Sequence, residues 1–203
     1  QNFTGITNVT IPNSVTAIGE NAFRGCSSLA SITIPNSVTT IGNSAFYGCS
    51  SLDSIAIPNS VTTIGMTTFY ECSSLASVII PNSVTTIGQS AFNSCTSLTS
   101  INIPYSVTHI ETSAFESCSS LASVTIPNSV ISIGSSAFLN CRVLTNVIIP
   151  NSVIGIGSNA FGGVRNIIYS GRASGSPWGA LCCNGYVEEP LIFSDNTKKF
   201  LAG

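Results

Sequence analysis

A 23-residue period runs through most of this chain and constrains its fold more than any other feature. One proline and one phenylalanine recur at that spacing, at Pro12, Pro35, Pro58, Pro81, Pro104, Pro127 and Pro150, and at Phe23, Phe46, Phe69, Phe92, Phe115, Phe138 and Phe161. A period this short and regular is typical of a solenoid, in which residues one period apart share a core. Such an architecture favours a binding or display scaffold over an enzyme.

The composition excludes several classes of partner. Only 7% of the residues are charged, against about 25% in an average soluble domain, so Ser, Thr and Asn must form most of the solvated surface. The net charge is -2 and no basic stripe is present, which argues against nucleic acid and against anionic membranes as partners. No apolar run approaches the roughly 20 residues of a membrane span, so we expect no direct membrane insertion.

The columns of the repeat predict what each position does. Eight columns are apolar, represented in the second full unit by Leu29, Ile32, Ile34, Val38, Ile41, Ala45, Phe46 and Cys49. Alternation across Ile32 to Ile34 predicts one short strand per turn in a parallel sheet, which Pro35 ends because proline has no amide hydrogen. The Ala45-Phe46 pair is too short for a regular helix and predicts a single helical or 3₁₀ turn on the other side.

The outward side chains of these strands form a candidate ligand face. They are polar and uncharged at most positions, and the residues that we assign to this face are Ser31, Thr33, Ser54, Ser77, Ser100, Asn102, Ser123 and Thr125. A face of this kind contains no catalytic constellation, because an enzyme needs an acid, a base or a nucleophile placed together in a concave pocket. The sequence therefore predicts binding without catalysis.

The repeated unit L-x-x-I-x-I-P-x-S-V-x-x-I-G-x-x-A-F-x-x-C resembles the BspA-like class of leucine-rich repeats over residues 6 to 169. The resemblance implies a β-rich solenoid, a right-handed superhelix with its parallel sheet on the concave side. It also implies a surface protein of anaerobic bacteria or protozoa that adheres to extracellular-matrix or cell-surface proteins or glycans. Gln1 lies inside the repeat pattern with no signal peptide, so we expect any export signal or anchor to lie outside this sequence.

A serine column takes the place of a residue that other leucine-rich repeats use to join their turns. In those proteins an Asn three residues past the last strand hydrophobe bonds the backbone of the neighbouring turn. Here the column is unbroken and consists of Ser14, Ser37, Ser60, Ser83, Ser106, Ser129 and Ser152. We therefore predict a ladder of serine hydroxyls between turns.

The eight cysteines predict buried thiols, not a disulfide framework. Six of them occupy one column, at Cys26, Cys49, Cys72, Cys95, Cys118 and Cys141. Stacked neighbours about 4.8 Å apart with parallel Cβ vectors are poorly placed for a bridge, and a linear column without histidine offers no tetrahedral zinc set. We expect no cofactor. A strained vicinal disulfide between Cys182 and Cys183 remains an alternative to two free thiols.

The fifth proline turn departs from the pattern in several columns and forms a candidate contact patch. Its distinctive residues are Tyr105, His109, Glu111 and Glu116, and His109 is the only histidine of the chain. Three interpretations stay open: neutral drift on an exposed back face, a protein-contact patch, and a weak metal or acid-base pair of His109 with Glu111. Because Glu111 replaces a glycine, Gly42 and its equivalents are predicted to serve close packing instead of a left-handed turn.

The period ends near residue 170, which divides the chain into a repeat solenoid, residues 1–170, and a small β cap, residues 171–203. Val164 to Tyr169 still fits the strand template and forms the last turn. We predict a strand near Val187 to Phe193 and a return at Phe200 and Leu201, with Trp178 as a plug, because open solenoid ends must be covered.

Two other functions compete with adhesion. A structural spacer would explain the uniform repeats equally well. Ice binding is suggested by the threonine columns but is disfavoured, because their hydroxyls are consecutive in sequence and the columns stop at Ile131 and Ser132.

Overall fold

The computed structural model describes residues 5–145, 147–164, 166–169 and 198–201. Every turn from the first to the seventh contributes two short parallel strands, and none of these residues forms a helix. The first strand row consists of β1 (Asn8–Thr10), β3 (Ser31–Thr33), β5 (Ser54–Ala56), β7 (Ser77–Ile79), β9 (Ser100–Asn102), β11 (Ser123–Thr125), β13 (Val147–Ile149) and β15 (Asn166–Tyr169). The second strand row consists of β2 (Ala17–Ile18), β4 (Thr40–Ile41), β6 (Thr63–Ile64), β8 (Thr86–Ile87), β10 (His109–Ile110), β12 (Ser132–Ile133) and β14 (Gly155–Ile156).

The prediction of one strand per turn was wrong, because the second strand row was missed. Its members are two residues long, each with an outward residue followed by a buried isoleucine. Two residues are too few to show the alternation by which a strand is recognised in sequence. The row is held by pairing with the turns on either side, as when Thr63 and Ile64 align with Thr86 and Ile87.

Pairing within each row keeps the 23-residue register. In the first strand row, hydrogen-bonded pairs join β1 to β3, β5 to β7, β9 to β11 and β13 to β15. In the second strand row, β2 pairs with β4, and β6, β8, β10, β12 and β14 form one continuous sheet. The second strand row is therefore interrupted at a single junction in the described chain, between β4 and β6.

The helical or 3₁₀ turn predicted around Ala45 and Phe46 takes the form of hydrogen-bonded turns and not of a helix. The segment is a series of i to i+3 turns, such as the bond from the Tyr47 amide to the Ser44 carbonyl at 3.1 Å. Other amides donate to the next turn, as Phe46 N does to Thr68 O at 2.9 Å. Positive φ angles of 54° at Ser44 and 70° at Gly48 bend the chain out of any helix.

Two left-handed positions recur in every turn at this corner, and most of them are not glycine. One column has φ angles between 52° and 57° and contains Asn21, Ser44, Thr67, Ser90, Ser113, Ser136 and Asn159. The other contains Gly25, Gly48, Glu71, Ser94, Ser117, Asn140 and Gly163. A side chain in this region costs roughly 1 to 2 kcal/mol, so the stacking of neighbouring turns must offset the strain.

All eight predicted apolar columns lie in one continuous core. Leu29, Val38, Ala45, Phe46 and Cys49 are buried, as are their equivalents in the following turns, including Thr68, a polar residue that replaces an alanine. The phenylalanine rings form a parallel spine, with neighbouring centroids 5.2 to 5.4 Å apart and ring planes within 2° to 13° of each other. Burial of this spine makes a large apolar contribution to stability.

The glycine column serves close packing, as predicted. A Cβ built on Gly42 would lie 2.5 Å from the Glu20 nitrogen, and one built on Gly134 would lie 2.5 Å from the Thr112 nitrogen. Neither residue has a positive φ angle. Absence of a side chain therefore lets each turn approach the backbone of the turn before it.

The predicted serine ladder is present. Ser37, Ser83 and Ser129 each donate a hydroxyl hydrogen bond of 2.7 Å to the valine carbonyl 22 residues earlier. Ser60 and Ser106 make the equivalent bonds to Val38 and Val84. Within the described chain, the Ser152 hydroxyl is buried and has no partner. The ladder ties consecutive turns together at their proline corners, and Ser152 is the exception to it.

Near the end of the repeats, β15 pairs in parallel with β13 and antiparallel with β16 (Lys198–Leu201). The predicted return at Phe200 and Leu201 therefore lies in a strand. Several predictions concern residues outside the described ones: the boundary at residue 170, the strand near Val187, the plug at Trp178 and the state of Cys182 and Cys183. The division into two domains stays a prediction.

Candidate binding surfaces

The first strand row places the candidate ligand face on the surface. The face is composed of Ser31, Thr33, Ser54, Ser77, Ser100, Asn102, Ser123 and Thr125, and all eight are exposed. Parallel pairing sets their side chains in columns, with Ser54 beside Ser77 and Ser100 beside Ser123. Their outward orientation follows from the two-residue alternation of a strand. Ligand binding by these residues stays a prediction.

Two isoleucines interrupt this polar row. Ile79 is 68% exposed and Ile148 is 58% exposed, although their neighbours in the same columns are mostly hydroxyl or amide side chains. At the start of the row the Ser31 hydroxyl donates to the Asn8 amide oxygen at 2.7 Å. The row therefore offers hydrogen-bonding groups together with isolated apolar contacts, a mixture found in protein interfaces.

The candidate contact patch is not joined into one cluster by hydrogen bonds. Tyr105 is 75% exposed at its corner, and His109 is exposed in β10 with its Nδ1 2.8 Å from the Thr108 hydroxyl. Glu116 is half-buried and its Oε2 accepts a hydrogen bond of 3.2 Å from Asn93 Nδ2. Tyr105 and His109 remain candidates for protein contact, while Glu116 has an internal partner on another side of the turn.

Glu111 occupies the column of the packing glycine. At Gly88 and Gly134 the amide donates to an isoleucine of the preceding turn, at 2.9 and 2.7 Å. The equivalent bond from the Glu111 amide to Ile87 is missing, although β8 and β10 remain paired. The Gly65 amide lacks the same bond, so its loss does not require replacement of the glycine. Among the residues described, no group of three His, Cys, Asp or Glu side chains could hold a metal ion. The pairing of Glu111 with His109 as a metal or acid-base site stays untested.

One column that follows the phenylalanine spine was missed in the sequence. Arg24 lies over the Tyr47 ring, 4.3 Å from its centroid, and Tyr47 stacks on Tyr70 at 4.8 Å. Further along, Asn93 bonds Glu116, so neighbouring turns carry complementary groups. The signal in the sequence is the residue directly after each phenylalanine. Compared from turn to turn, these residues form a cation–π pair, a stacked pair and a hydrogen-bonded pair along the column.

The surroundings of Tyr70 in this column raise the pKa of its hydroxyl. Burial raises the pKa of its hydroxyl, and the negative charges of Glu71, of ionised Tyr47 and of Glu116 raise it further. Tyr70 therefore stays a neutral hydroxyl that can donate and accept hydrogen bonds at physiological pH. The stacked rings cover each other's faces, so this column presents ring edges and hydroxyl groups to solvent.

The cysteine column is structural. All six thiols are free and buried, and five of them donate to a phenylalanine carbonyl of an earlier turn, as Cys95 Sγ does to Phe69 O at 3.2 Å. Burial, followed by the charge of Cys26, raises the pKa of Cys49 to about 12. A protonated, enclosed thiol is a poor nucleophile, so these cysteines serve packing and hydrogen bonding between turns.

The family comparison agrees with this architecture. The model of the BspA type leucine rich repeat region matches residues 1–122 and 108–170, in six copies. None of the curated proteins matches the chain. The described segments contain no helix that could cross a membrane. A stacked two-row β-solenoid with this repeat defines a leucine-rich repeat protein, and the chain belongs to the BspA-type leucine-rich repeat family.

Solved structures of bacterial leucine-rich repeat proteins share the fold. The protein of T. pallidum is 35% identical with a TM-score of 0.72, and the match covers 77% of this chain and 76% of that one. The protein of Bacteroides ovatus is 35% identical with a TM-score of 0.76, covering 80% and 42%. That of Eubacterium ventriosum is 31% identical with a TM-score of 0.68, covering 81% and 47%. The chain thus spans less than half the length of the last two relatives.

Proposed function

We propose that this chain is a cell-surface or secreted adhesion module that binds extracellular-matrix or cell-surface proteins or glycans through its first strand row. The observation that carries the proposal is the register-aligned row of exposed, uncharged polar side chains, interrupted by Ile79 and Ile148. Solenoids commonly use such continuous surfaces for recognition. Membership of the BspA-type family supports the surface location that the sequence predicts.

The physical basis is a surface whose polar groups cost less free energy to desolvate than charged groups do. Hydroxyl and amide groups lose less free energy on burial than charges do, provided that the partner restores their hydrogen bonds. Because the core below holds the strands in place, the backbone loses little conformational entropy on binding. No step of this function requires a catalytic group.

The test is a triple variant, Ser54→Arg, Ser77→Arg and Ser100→Arg, assayed for adhesion to immobilised matrix proteins, glycans and cells. Three long cations in consecutive turns should abolish binding, because they obstruct the row and introduce unpaired charge. The matched control places three arginines at Asn59, Asn82 and Asn128, which are exposed at the proline corners. Adhesion that survives in the strand variant, or is lost equally in the control, would refute the use of this row.

A structural spacer is the second candidate, and the uniform spine favours it. Neighbouring phenylalanine centroids keep a spacing of 5.2 to 5.4 Å from Phe23 to Phe161. A regular spacing of this kind is expected of a spacer that sets a fixed distance. If the unaltered chain binds none of the matrix proteins, glycans or cells, the spacer accounts for the molecule and the adhesion proposal fails.

A further inference from the structure

The interruption of the second strand row between β4 and β6 creates a cleft. At four of the five paired junctions of the second strand row, two amides bridge the turns, as Gly42 N bonds Ile18 O at 2.8 Å and Thr39 N bonds Thr16 O at 2.8 Å. Neither bond has an equivalent between β4 and β6. In the described chain, the amides of Thr62 and Gly65 make neither of these cross-turn bonds, so the carbonyls of Thr39 and Ile41 do not accept them. The β8–β10 junction also lacks both bonds but keeps its strand pairing, which β4 and β6 do not have.

Asn43 holds this junction open. Its Oδ1 accepts a hydrogen bond of 2.9 Å from the Met66 amide, and a Cβ on Gly65 would lie 2.4 Å from the same oxygen. The amide group therefore occupies the space in which the two turns would otherwise meet. Paired junctions have other residues at this position, among them Ser135 between β12 and β14.

The cleft has the size and the chemistry of a polar ligand site. Its volume is about 440 Å³, and its lining includes Glu20, Thr39, Thr40, Asn43, Thr62 and Thr63. Ligand pockets for small molecules have volumes of roughly 300 to 1,000 Å³. The four threonine side chains and Glu20 are exposed, so their oxygens are accessible to a molecule that enters.

The charge and the polar groups of the lining residues favour some classes of ligand over others. It contains no cation, so an anionic group would meet Glu20 without a counter-charge. One carboxylate is too few for a calcium or magnesium cage, which needs several oxygen ligands and commonly more than one carboxylate. Hydroxyl, amide and carboxylate groups, together with free backbone amides and carbonyls, match a neutral molecule with many hydroxyl groups. We infer that this cleft binds a neutral saccharide.

The inference goes beyond the proposed adhesion surface, because the cleft lies on the second strand row. The probes are methyl β-glucoside, methyl β-galactoside, lactose and cellobiose, each tested by saturation-transfer NMR on the whole chain at up to about 20 mM. We expect at least one of them to bind. Absence of transfer from all four would overturn the inference.

Matched variants test the position of the site. Thr63→Val removes a hydroxyl that lines the cleft and should weaken binding about tenfold, whereas Thr86→Val, in the same column at the paired β6–β8 junction, should leave binding unchanged. Equal effects of the two variants would overturn the inference. The Ser54, Ser77 and Ser100 arginine variant should retain saccharide binding, which separates failure of this site from failure of the adhesion surface.

A third variant tests the opening itself. Asn43→Ser places at this junction the residue found between β12 and β14, and it should let β4 and β6 pair and abolish saccharide binding. Hydrogen exchange provides a readout independent of the ligand: the Gly65 amide should exchange faster than that of Gly88 in the original chain and slow to a similar rate in the variant. Protection of Gly65 in the original chain would contradict the open cleft.

Discussion

Replacement of Phe92 by alanine tests how much the phenylalanine spine contributes to stability. Phe92 is fully buried, and its ring stacks on Phe69 at 5.2 Å and on Phe115 at 5.4 Å. Truncation of a buried phenylalanine costs about 3 to 5 kcal/mol from lost transfer free energy and the cavity left behind. Because the ring is enclosed on both faces, we expect Phe92→Ala to lower the free energy of unfolding by about 4 to 5 kcal/mol.

Phe23 provides the matched control at the start of the spine. It is partly exposed and stacks on one neighbour, Phe46, at 5.3 Å. We expect Phe23→Ala to cost about 2 to 3 kcal/mol. Phe92→Leu isolates the ring contacts, since leucine keeps most of the buried area but no aromatic face. Loss of two stacked pairs at about 0.5 to 1.5 kcal/mol each predicts a cost of about 1 to 3 kcal/mol.

Urea denaturation followed by circular dichroism measures all three variants. The midpoints should shift while the dependence on urea concentration stays constant, which would show that the unfolded surface has not changed. A cost for Phe23→Ala within about 0.5 kcal/mol of that for Phe92→Ala would refute the reasoning, because cost would then not follow the number of stacked neighbours.

Three further changes probe the contacts between turns. Ser83→Ala should lower the free energy of unfolding by about 1 to 2 kcal/mol because a buried carbonyl loses its donor, whereas Ser152→Ala, measured in the same urea series, should be neutral or stabilising. Gly134→Ala should cost about 1 to 3 kcal/mol from overpacking, while Gly155→Ala, whose added Cβ would lie 3.7 Å from its nearest neighbour, should cost less in thermal melts. The raised pKa of Cys49 means that its stabilising effect is complete below its usual value of 9.0 and declines as pH rises toward about 12; the melting temperature should fall over that range, and less so in Cys49→Ala.

The repeat period was enough to predict the core and the serine ladder. Val38, Phe46 and Cys49 each belong to an invariant column, and an invariant apolar column in a solenoid must face the interior. Ser37 was predicted to bond the neighbouring turn from its unbroken column alone. Because these features recur in every turn, each column gives several examples of the same structural position.

Features that occur once, or that rest on backbone geometry, could not be predicted in the same way. Asn43 opens one junction through a side-chain contact that depends on the distance between two turns. Glu71 and Ser94 adopt positive φ angles although neither is glycine, because tertiary packing overrides their local preference. The second strand row depends on pairing between turns, which two residues such as Thr40 and Ile41 cannot signal alone.

The hydrogen bonds between turns have a mechanical consequence. Serine hydroxyls reach back 22 residues, threonine hydroxyls 23 and cysteine thiols 26, so each bond connects a turn to the one before it. Under a pulling force applied at its ends, such a rod can release one turn without loosening the remaining ones. Each turn of 23 residues would add roughly 80 Å of extended chain, at about 3.4 Å per residue. We expect such a chain to lengthen under load in even steps of one turn each.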